Sequence, residues 1–428
     1  MSCVNLWAEK LNSQEAADHL TMLYGPGAEV LARQRERYLD LIRKHEEDFG
    51  EGHRVTVFSA PGRTEIGGNH TDHNRGRVLA ASVNLDILCA ASPREDGIVH
   101  FNSEGFKPLT LDLSDTERRQ EEEGSTLGLI RGVADGMKKA GYRIGGFDAV
   151  VTSTVGRGSG LSSSAALEVM LSGVFDGLFN AFSMPFPERA QICRRAENLY
   201  FGKPSGLLDQ MASAAGGLVT VDFRDEQDPK VEALQYDFAA KGYALVVVGT
   251  GGNHEDLTDH YAAIPREMRQ VAACFGQETL RGISREALME RMGELRKSVS
   301  DRALLRAMHF VDEDARVPEQ VKALKEDRIQ DFLGLIIESG RSSSMYLQNI
   351  YATNDDQSLS LALCMAEAML KGKGAWRIHG GGFAGTTLNF VPLEDVDTFV
   401  AEMNGTFGEG ACHVLNIRPV GADRMCLA

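Results

Sequence analysis

The sequence lacks an excess of basic charge and any apolar run of about 18 residues. Its formal net charge is −16, from 61 acidic and 45 basic side chains. No basic field is therefore available to recruit nucleic acid or an anionic membrane. Met1 is followed by polar residues instead of an apolar signal segment. These absences predict a cytoplasmic protein with no nucleic-acid partner and no membrane partner.

Cysteine is scarce, with seven residues spread over the 428-residue chain. The number is odd and no C-x-x-C pair occurs, so the sequence predicts neither a disulfide framework nor a thiolate zinc site. This distribution is typical of a reducing compartment. Hydrophobic residues make up 43% of the chain and charged residues 25%, as in soluble globular proteins. The length accommodates two ordinary domains or one large elaborated domain.

The most glycine-rich turn lacks the spacing of the two best-known nucleotide-binding loops. Residues 156–166 read Gly-Arg-Gly-Ser-Gly-Leu-Ser-Ser-Ser-Ala-Ala. They fit neither G-x-x-x-x-G-K-[ST] nor a dinucleotide fingerprint, which needs a later acidic residue. Glycine nevertheless lets the backbone approach a ligand, and the three hydroxyls at 162–164 lie where a helix start has free N–H groups. The stretch predicts a phosphate-binding turn, and a plain Gly/Ser loop is the alternative.

Hydrophobic periodicity predicts strands and helices in a mixed order. Helices are expected over 12–48, 125–140, 163–181, 187–201, 255–350 and 393–407. Strands are expected over 54–58, 78–90, 98–102, 109–113, 146–154, 218–223, 243–248 and 412–418, with a glycine-centred segment at 376–391. Asn12 is the expected cap of the first helix, and Ser125 is the expected cap of the helix over 125–140. Pro61-Gly62 should end the first strand. Because neighbouring strands look antiparallel, the pattern predicts an α+β fold rather than a doubly wound sheet.

A dense polar cluster follows the first predicted strand, over residues 60–74. Arg63 can supply a fixed positive charge within it. Its neighbours offer hydrogen-bond donors and acceptors suited to hydroxyls: Asn69, His70, Thr71 and Asp72. A zinc site formed by His70 and His73 with Asp72 is a minor alternative, because the spacing provides no helical face. An Asx-rich turn is the other alternative.

Two more clusters occur further along the chain. The first consists of Glu197 and the segment 202–210, in which Asp209 follows a glycine turn and opens a helix of small residues. A carboxylate at that place is either catalytic or a helix cap. The second cluster is His-Gly-Gly-Gly-Phe-Ala-Gly at 379–385, before an apolar strand. Taken alone, it would be a hairpin or a bulge.

The four clusters occur in a fixed order, and in that order the chain resembles the GHMP kinase superfamily and, within it, the galactokinases. The galactokinase signature, Gly-Arg-x-x-x-x-Gly-Glu-His-Thr-Asp-x-Asn, is similar to residues 62–74. The superfamily's phosphate loop, Gly-Leu-Ser-Ser-Ser-Ala-Ala, is present at 160–166. The family's Asp-Gln pair matches residues 209–210, and its last glycine motif matches 380–385. The resemblance covers about residues 45–425.

The resemblance implies a fold and a domain organisation. The fold would be the two-domain α+β fold of GHMP kinases, with an active site between the domains. The N-terminal domain would be similar to ribosomal protein S5, and the C-terminal domain would be ferredoxin-like. Because the polar segment 224–230 is the expected boundary, the domains would span 46–226 and 227–428. Residues 1–45 would form a helical N-terminal extension.

The resemblance also implies an activity, that of an ATP-dependent sugar 1-kinase that uses Mg²⁺. Such an enzyme converts α-D-galactose and ATP into α-D-galactose 1-phosphate and ADP, the first committed step of galactose utilisation by the Leloir pathway. Asp209 would face the anomeric hydroxyl, and Arg63 would stabilise charge on the transferred phosphoryl group. The partners would be the sugar and ATP, and the protein would be a monomer or a weak homo-oligomer.

The same resemblance assigns binding residues by motif position. The sugar would face Asn69, His70, Thr71, Asp72 and Tyr261. ATP would contact Ser103, Gly158, Ser159, Gly160, Leu161, Ser162, Ser163 and Ser164. Mg²⁺ would be held by Ser164 and Glu197.

Three departures from the family pattern leave the sugar open. Asn69 stands where galactokinases have Glu, His73 replaces a Tyr, and Ala384 replaces a glycine. Losing a carboxylate at position 69 would remove a repulsion against an acidic sugar. Galacturonate and N-acetylgalactosamine are therefore alternative substrates. A galactokinase-like sugar sensor and a nicotinamide dehydrogenase are the rivals from other classes.

Overall fold

The computed structural model describes residues 2–156, 160–203, 205–251, 257–351, 353, 355–383 and 385–426. Within these ranges, no helix is both long enough and apolar enough to cross a membrane. The α-helices are α1 Cys3–Leu11, α2 Gln14–Tyr24, α3 Ala28–Phe49, α4 Thr126–Lys139, α5 Ser163–Phe179, α6 Phe186–Ala196, α7 Leu208–Ala215, α8 Thr258–Ala273, α9 Arg285–Glu290, α10 Met292–Leu295, α11 Asp301–Lys325, α12 Ile329–Ser342, α13 Ser358–Leu370 and α14 Val396–Phe407. Two π-helical segments, Glu197–Phe201 and Ser343–Leu347, extend α6 and α12.

The strands form two sheets. They are β1 Thr56–Gly67, β2 Arg77–Pro93, β3 Ile98–Ser103, β4 Leu109–Asp112, β5 Phe147–Ser153, β6 Leu218–Asp222, β7 Lys230–Leu234, β8 Tyr243–Gly249, β9 Ala375–His379, β10 Thr386–Pro392, β11 Cys412–Leu415 and β12 Asp423–Cys426. The larger sheet has the order β12-β1-β2-β5-β3-β4, and the pair β6-β7 attaches to β2. The smaller sheet has the order β11-β8-β10-β9. Every described pair except β3 with β5 is antiparallel, which confirms the predicted α+β class.

The first strand is longer than predicted, because Pro61-Gly62 does not end it. β1 continues to Gly67 and pairs with β2 on both sides of the proline, with register shifts between Pro61 and Arg63 and between Glu65 and Gly67. A proline removes one donor from the ladder, and a bulge absorbs that loss without ending the strand. The strand therefore carries the first part of the polar cluster directly.

The predicted helix over 12–48 is wrong in its boundaries. Helix α1 begins earlier, at Cys3, and two glycines with positive φ, Gly25 (90°) and Gly27 (132°), separate α2 from α3. The cap of α2 is Ser13 rather than Asn12, because the Ser13 hydroxyl accepts a hydrogen bond from the N–H of Ala16 at 3.1 Å. The predicted cap of α4 is confirmed, since Ser125 accepts from the N–H of Gly128 at 3.2 Å.

The largest hydrophobic cluster joins both sheets. It contains Phe58, Phe147 and Phe175 from the first half of the chain and Leu245 and Phe390 from the smaller sheet, all buried. The N-terminal helices form a second cluster with strands of the larger sheet. Its buried members include Trp7, Leu20, Tyr24, Tyr38, Val57 and Leu88.

Sheet pairing crosses the predicted domain division at residue 226. Strand β7 follows that residue and pairs with β6 in the larger sheet. Strand β12, at the end of the chain, pairs with β1 of the same sheet. The larger sheet thus takes strands from both predicted domains, and the domain limits stay a prediction.

Candidate active site

The polar clusters meet between the two sheets, where β1 lies against the turn that joins β9 to β10. The ring of His379, at the end of β9, accepts a hydrogen bond from the backbone N–H of Glu65 at 3.1 Å. Arg377, two residues earlier, forms a buried ion pair with the Glu65 carboxylate at 2.8 Å. These contacts hold the first and last clusters of the sequence side by side.

An ion pair between Arg63 and Asp209 lies at this junction. The Nε atom of Arg63 donates to the Asp209 carboxylate at 2.7 Å, and side-chain exposure is 7% for Arg63 and 31% for Asp209. The Ser162 hydroxyl donates to the other carboxylate oxygen of Asp209. Asp209 therefore contacts two other clusters, the polar cluster at 60–74 through Arg63 and the phosphate turn through Ser162. The N-cap residue of α7 is Leu207, whose side chain has no hydrogen-bond acceptor. The carboxylate of Asp209 has its partners in Arg63 and Ser162 rather than at the start of the helix.

The pKa of Asp209 is lowered. Burial alone would raise the pKa, but the nearby guanidinium of Arg63, the Ser162 hydroxyl and the ammonium of Lys203 stabilise the charged form and lower it overall. The carboxylate therefore stays ionised at neutral pH. An ionised carboxylate can accept a hydrogen bond from a hydroxyl group, and the positive charge of Arg63 lies beside it.

The phosphate turn is held against both neighbouring segments. The backbone N–H of Arg63 donates to the carbonyl of Leu161 at 3.0 Å. Gly160 has φ of 70°, and a Cβ at this position would lie 2.1 Å from the Thr386 hydroxyl, so only glycine fits. Ser162 has φ of 57° and precedes α5, which begins at Ser163. Gly158 and Ser159, which were also predicted to contact ATP, lie outside the described residues.

Glu197 and Ser164 form a group of oxygen donors beside this turn. The Ser164 hydroxyl donates to Glu197 at 3.0 Å, and the Glu197 side chain is only 2% exposed. The same carboxylate accepts from Lys203 at 2.9 Å, from Ser205 at 2.5 Å and from Gln210 at 2.8 Å. A carboxylate with a hydroxyl beside a phosphate-binding turn is the kind of donor set that suits Mg²⁺. The residues present therefore fit that cation.

Asp72 is a second carboxylate near Asp209. A Cβ on Gly206 would lie 1.6 Å from its Oδ2 atom, so the loop before α7 can close over Asp72 only with glycine there. Burial and the charge of Asp209 raise the pKa of Asp72 to about 6. Its Oδ1 atom accepts from the N–H of His73 at 2.9 Å. The second oxygen lies against Gly206, in the loop before α7.

His70 and Tyr261 both contact the glycine turn between β9 and β10. The Nε2 atom of His70 lies 3.0 Å from the carbonyl of Gly381, and burial lowers the pKa of this ring to about 4. The Tyr261 hydroxyl donates to the carbonyl of Gly382 at 3.2 Å. A Cβ on Gly381 would lie 2.5 Å from the Tyr261 ring, so this glycine permits the close approach. Among the described residues, no group of three or more His, Cys, Asp or Glu side chains could hold a metal ion.

The amide of Asn69 is fully buried, and the protein itself occupies its hydrogen-bonding positions. The two Nδ2 hydrogens have acceptors in Glu65 at 2.9 Å and the carbonyl of Gly380 at 2.7 Å. Its Oδ1 atom accepts from Ser343 at 3.1 Å and from Asn349 at 3.0 Å. This geometry leaves no free donor for a sugar at Asn69, and its predicted sugar contact stays a prediction.

Thr71 is likewise buried, and its hydroxyl contacts backbone carbonyls within the same turn. The oxygen lies 2.8 Å from the carbonyl of Gly68 and 2.6 Å from that of Arg77. A hydroxyl has one hydrogen to donate, and in Thr71 this hydrogen is used for a backbone carbonyl of the protein. The predicted sugar contact of Thr71 also stays a prediction.

Helix α11 supplies two residues that the sequence reasoning missed. The Glu313 carboxylate accepts from the N–H groups of Gly68 at 3.0 Å and Asn69 at 3.3 Å, and from the Ser339 hydroxyl at 2.7 Å. The Nε2 atom of His309 lies 2.9 Å from the carbonyl of Asn69. The spacing of four residues, which puts both side chains on one helix face, is the only signal in the sequence.

Ser103 lies away from the Arg63 and Asp209 pair, on a cavity of about 810 Å³. The walls of the cavity are the turn after β3, the edge of β5 and one face of α3. Its lining includes Phe106, Val151 and Thr152 beside Ser103. Ser103 pairs with Val151 near the end of β5, and the chain continues from β5 to the phosphate turn. Ser103 therefore lies at the end of the sheet from which that turn starts.

Comparison with known proteins identifies the class first. Residues 43–93 match the model of the galactokinase galactose-binding signature, and residues 128–217 match that of the GHMP kinase N-terminal domain. A mevalonate kinase structure superimposes with a TM-score of 0.60 at 15% identity, covering 84% of this chain and 98% of that one. At this identity the likeness concerns the fold alone. The chain has the GHMP kinase fold, as the sequence predicted.

Relatives then specify the family. A galactokinase of Streptomyces coelicolor is 32% identical over 357 residues, which are 82% of this chain and 88% of the relative. Human galactokinase is 31% identical over 413 residues, 94% of this chain and 98% of the relative. The crystal structure of Lactococcus lactis galactokinase complexed with galactose has a TM-score of 0.77 at 26% identity, covering 90% of this chain and 98% of that one. The chain belongs to the galactokinase family.

Proposed function

We propose that the protein transfers the terminal phosphoryl group of ATP to the anomeric hydroxyl of galactose, forming galactose 1-phosphate and ADP. The observation that carries the proposal is the ion pair between Arg63 and Asp209, which borders the phosphate turn. Membership of the galactokinase family supports the sugar, because the Streptomyces, human and Lactococcus relatives are named galactokinases.

Asp209 and Arg63 divide the chemistry between them. Phosphoryl transfer needs positioning and charge stabilisation more than covalent help. A carboxylate whose pKa is lowered is a weak base, so Asp209 mainly accepts the hydrogen bond of the attacking hydroxyl and orients it. The Arg63 guanidinium stabilises the negative charge that develops on the transferred group.

The remaining predicted residues bind the two substrates. Backbone N–H groups and hydroxyls of the phosphate turn, at the start of α5, bind the phosphates of ATP, and Ser103 lies toward the nucleotide. Asp72, His70 and Tyr261 face the sugar hydroxyls. We retain Asn69 and Thr71 in this group as residues that shape the sugar-binding turn.

We propose Ser164 and Glu197 as the residues that hold Mg²⁺. When bound, the cation would neutralise phosphate charge on ATP. The protein's own contribution is to orient the carboxylate of Glu197, through the hydrogen bonds from Lys203, Ser205 and Gln210.

We also retain the proposal of a cytoplasmic monomer or weak homo-oligomer. All seven cysteines are described and free of disulfides, which fits a reducing compartment. Light scattering of the purified protein at increasing concentration tests the oligomeric state. A mass of twice 46.6 kDa at every concentration would contradict it.

A sugar-panel kinase assay tests the proposed function. The panel contains galactose, glucose, galacturonate and N-acetylgalactosamine, and the readouts are ADP release and the position of the phosphate by ³¹P NMR. We expect the highest kcat/KM for galactose, with the phosphate on C1. A ranking with galacturonate or N-acetylgalactosamine first would contradict the sugar, and binding of ATP and sugar without ADP release would contradict the enzyme.

A further inference from the structure

Glu65 is a carboxylate at the junction of the two sheets, and no role in binding or catalysis has been assigned to it above. Arg63 and Glu65 are separated by one residue of β1, in a part of the strand that pairs with β2 in regular register. Residues i and i+2 of a strand lie on the same face of a sheet. The side chain of Glu65 therefore lies on the face from which Arg63 reaches Asp209.

One oxygen of the Glu65 carboxylate makes its hydrogen bonds to the protein. The Oε1 atom accepts from Asn69 at 2.9 Å and from Arg377 at 2.8 Å. In the part of the chain that the structure describes, no residue donates a hydrogen bond to Oε2. The side chain is 7% exposed, as is that of Arg63, so it keeps a contact with solvent. A nearly buried acceptor without a donor is costly, and a ligand that donates to it removes this cost.

The surroundings of Glu65 indicate that a sugar hydroxyl is the missing donor. The amide of Asn69 binds Glu65 and also the carbonyl of Gly380, at 2.7 Å. The next two carbonyls of that glycine turn contact His70 and Tyr261, which were predicted to face the sugar. Through Asn69, Glu65 is therefore one hydrogen bond away from the turn that holds these residues.

The charge of Glu65 determines which sugar this oxygen can accept. Burial raises the pKa of Glu65 to about 7, although the guanidinium groups of Arg377 and Arg63 lower it. Above that pH the carboxylate is ionised. An ionised carboxylate binds a sugar hydroxyl strongly, and it repels a sugar that carries a carboxylate of its own.

We propose that Glu65 is a specificity-determining residue of the sugar site: its Oε2 atom accepts a hydrogen bond from a hydroxyl of galactose, and its charge excludes galacturonate. The inference rests on the proposed sugar substrate. Asn69 stands where the galactokinase signature has Glu, and its amide binds the Glu65 carboxylate. Glu65 thus supplies, beside position 69, the negative charge that this position lacks.

The test measures the affinities for galactose and galacturonate by calorimetry at pH 8, with a non-hydrolysable ATP analogue present. Glu65→Gln keeps one oxygen for Arg377, but it removes the charge and replaces the free acceptor by an amide N–H group. We expect the affinity for galactose to fall about tenfold, because a hydrogen bond to a charged acceptor is lost. The affinity for galacturonate should rise, so that the ratio of the two affinities falls by more than about tenfold.

Glu65→Asp is the second variant, because it keeps the charge and shortens the side chain by one methylene group. We expect galactose to bind about threefold more weakly or worse, while galacturonate is still rejected. An unchanged affinity for galactose in Glu65→Asp, or an unchanged ratio of affinities in Glu65→Gln, would overturn the proposal.

Asp176→Asn is the matched control, because Asp176 is also a buried carboxylate, paired with the buried guanidinium of Arg189 at 2.7 Å. It lies in the last turn of α5, about 20 Å along the helix from the phosphate turn. We expect a lower melting temperature and unchanged affinities for both sugars, which is also the pattern that a merely structural Glu65 would give.

The binding measurements separate this inference from the proposed function. If the parent binds galactose but releases no ADP, the proposed function fails and the ratio of affinities in Glu65→Gln still tests Glu65. A parent that binds neither sugar would overturn both.

Discussion

The pKa values of two carboxylates of the site, Asp209 and Asp72, are shifted in opposite directions. Both are near each other, but Asp209 has Arg63 and Ser162 beside it, and its pKa is lowered in spite of burial. At Asp72, burial together with the charge of Asp209 outweighs two backbone N–H groups and Arg194, and it raises the pKa to about 6. One carboxylate therefore keeps its charge at any physiological pH, while the other can take up a proton when the pH falls below about 6.

Asp209→Asn should lower kcat about 100-fold or more and leave the fold intact. The amide keeps the shape of the side chain but loses the charge that Arg63 pairs with. Steady-state kinetics and a thermal melt check this prediction. A cap residue would instead cost about 1 kcal/mol of stability with near-normal turnover. That outcome would return Asp209 to a structural role.

Glu197→Gln should raise the Mg²⁺ concentration for half-maximal activity about tenfold or more, because even indirect partners of a bound metal change its affinity by this factor. The change removes the negative charge and keeps one oxygen, which can accept from either Ser164 or Gln210, because these two residues bind different oxygens of the carboxylate. A Mg²⁺ titration of activity measures it, with the exposed Glu402→Gln as control. A lower kcat with an unchanged Mg²⁺ midpoint would speak against a metal-binding role.

At the scale of elements, helix α11 in the second half of the chain contacts the turn after β1, at residues 68–70, in the first half. Glu313 binds two consecutive N–H groups of that turn, and His309 binds the carbonyl that follows. The next residue, His70, has φ of 56°, which is unfavourable for a side chain with a Cβ. The helix thus supports a strained residue that lies next to the glycine turn.

Glu313→Gln should destabilise the protein by about 1–3 kcal/mol at pH 7, and the difference from the parent should shrink as the pH falls. Burial would raise the pKa of Glu313, but Arg316 and its other partners lower it to about 2. A lowered folded-state pKa contributes stability above the unfolded value of about 4.5, and this contribution is lost as the pH falls toward 2. Urea unfolding at pH 7, 5 and 3.5 measures the difference.

Glu319→Gln is the control for that experiment, because Glu319 lies on the same helix and is exposed. We expect its unfolding free energy to match the parent at each pH. A Glu313→Gln deficit that stays constant or grows in acid would contradict the assigned charge state. KM for galactose should rise in Glu313→Gln, because the turn that carries His70 loses its support.

At the scale of the whole molecule, the two sheets share one hydrophobic cluster, and the end of the chain returns to its first strand. Phe58 and Leu245, from different sheets, belong to the same buried cluster. Strand β12 pairs with β1 beside the N-terminal helices. Separate unfolding of the two halves would therefore expose apolar surface that both halves now cover.

The two tryptophans allow a test of this continuity. Trp7 is buried in the cluster of the N-terminal helices, and Trp376 belongs to the smaller sheet. We expect Trp7→Phe and Trp376→Phe, each with one remaining fluorophore, to unfold in urea with coincident midpoints. Calorimetry of the parent should then show a single transition. Two separated midpoints would contradict one cooperative unit.

Local chemistry determined much of this protein from the sequence alone. The order of four motifs, through its resemblance to the GHMP kinases, was enough to predict the family, and the periodic pattern of strands and helices was enough to predict the α+β class. Turns and helix caps could be predicted because they depend on nearby residues. Ser125 was correctly predicted as a cap for the same reason. The limits of the first strand were not, since pairing with β2 carries it past Pro61.

Only the tertiary structure decided which distant side chains support the site. Glu313 meets Gly68 across 245 positions of the chain, and no local pattern specifies such a pair. From the sequence, the polar amide of Asn69 is a candidate to bind a sugar. In the structure, Glu65, Ser343 and Asn349 occupy its hydrogen-bonding positions. Hydrogen-bond partners in a buried site depend on where helices pack, and packing is a property of the whole chain.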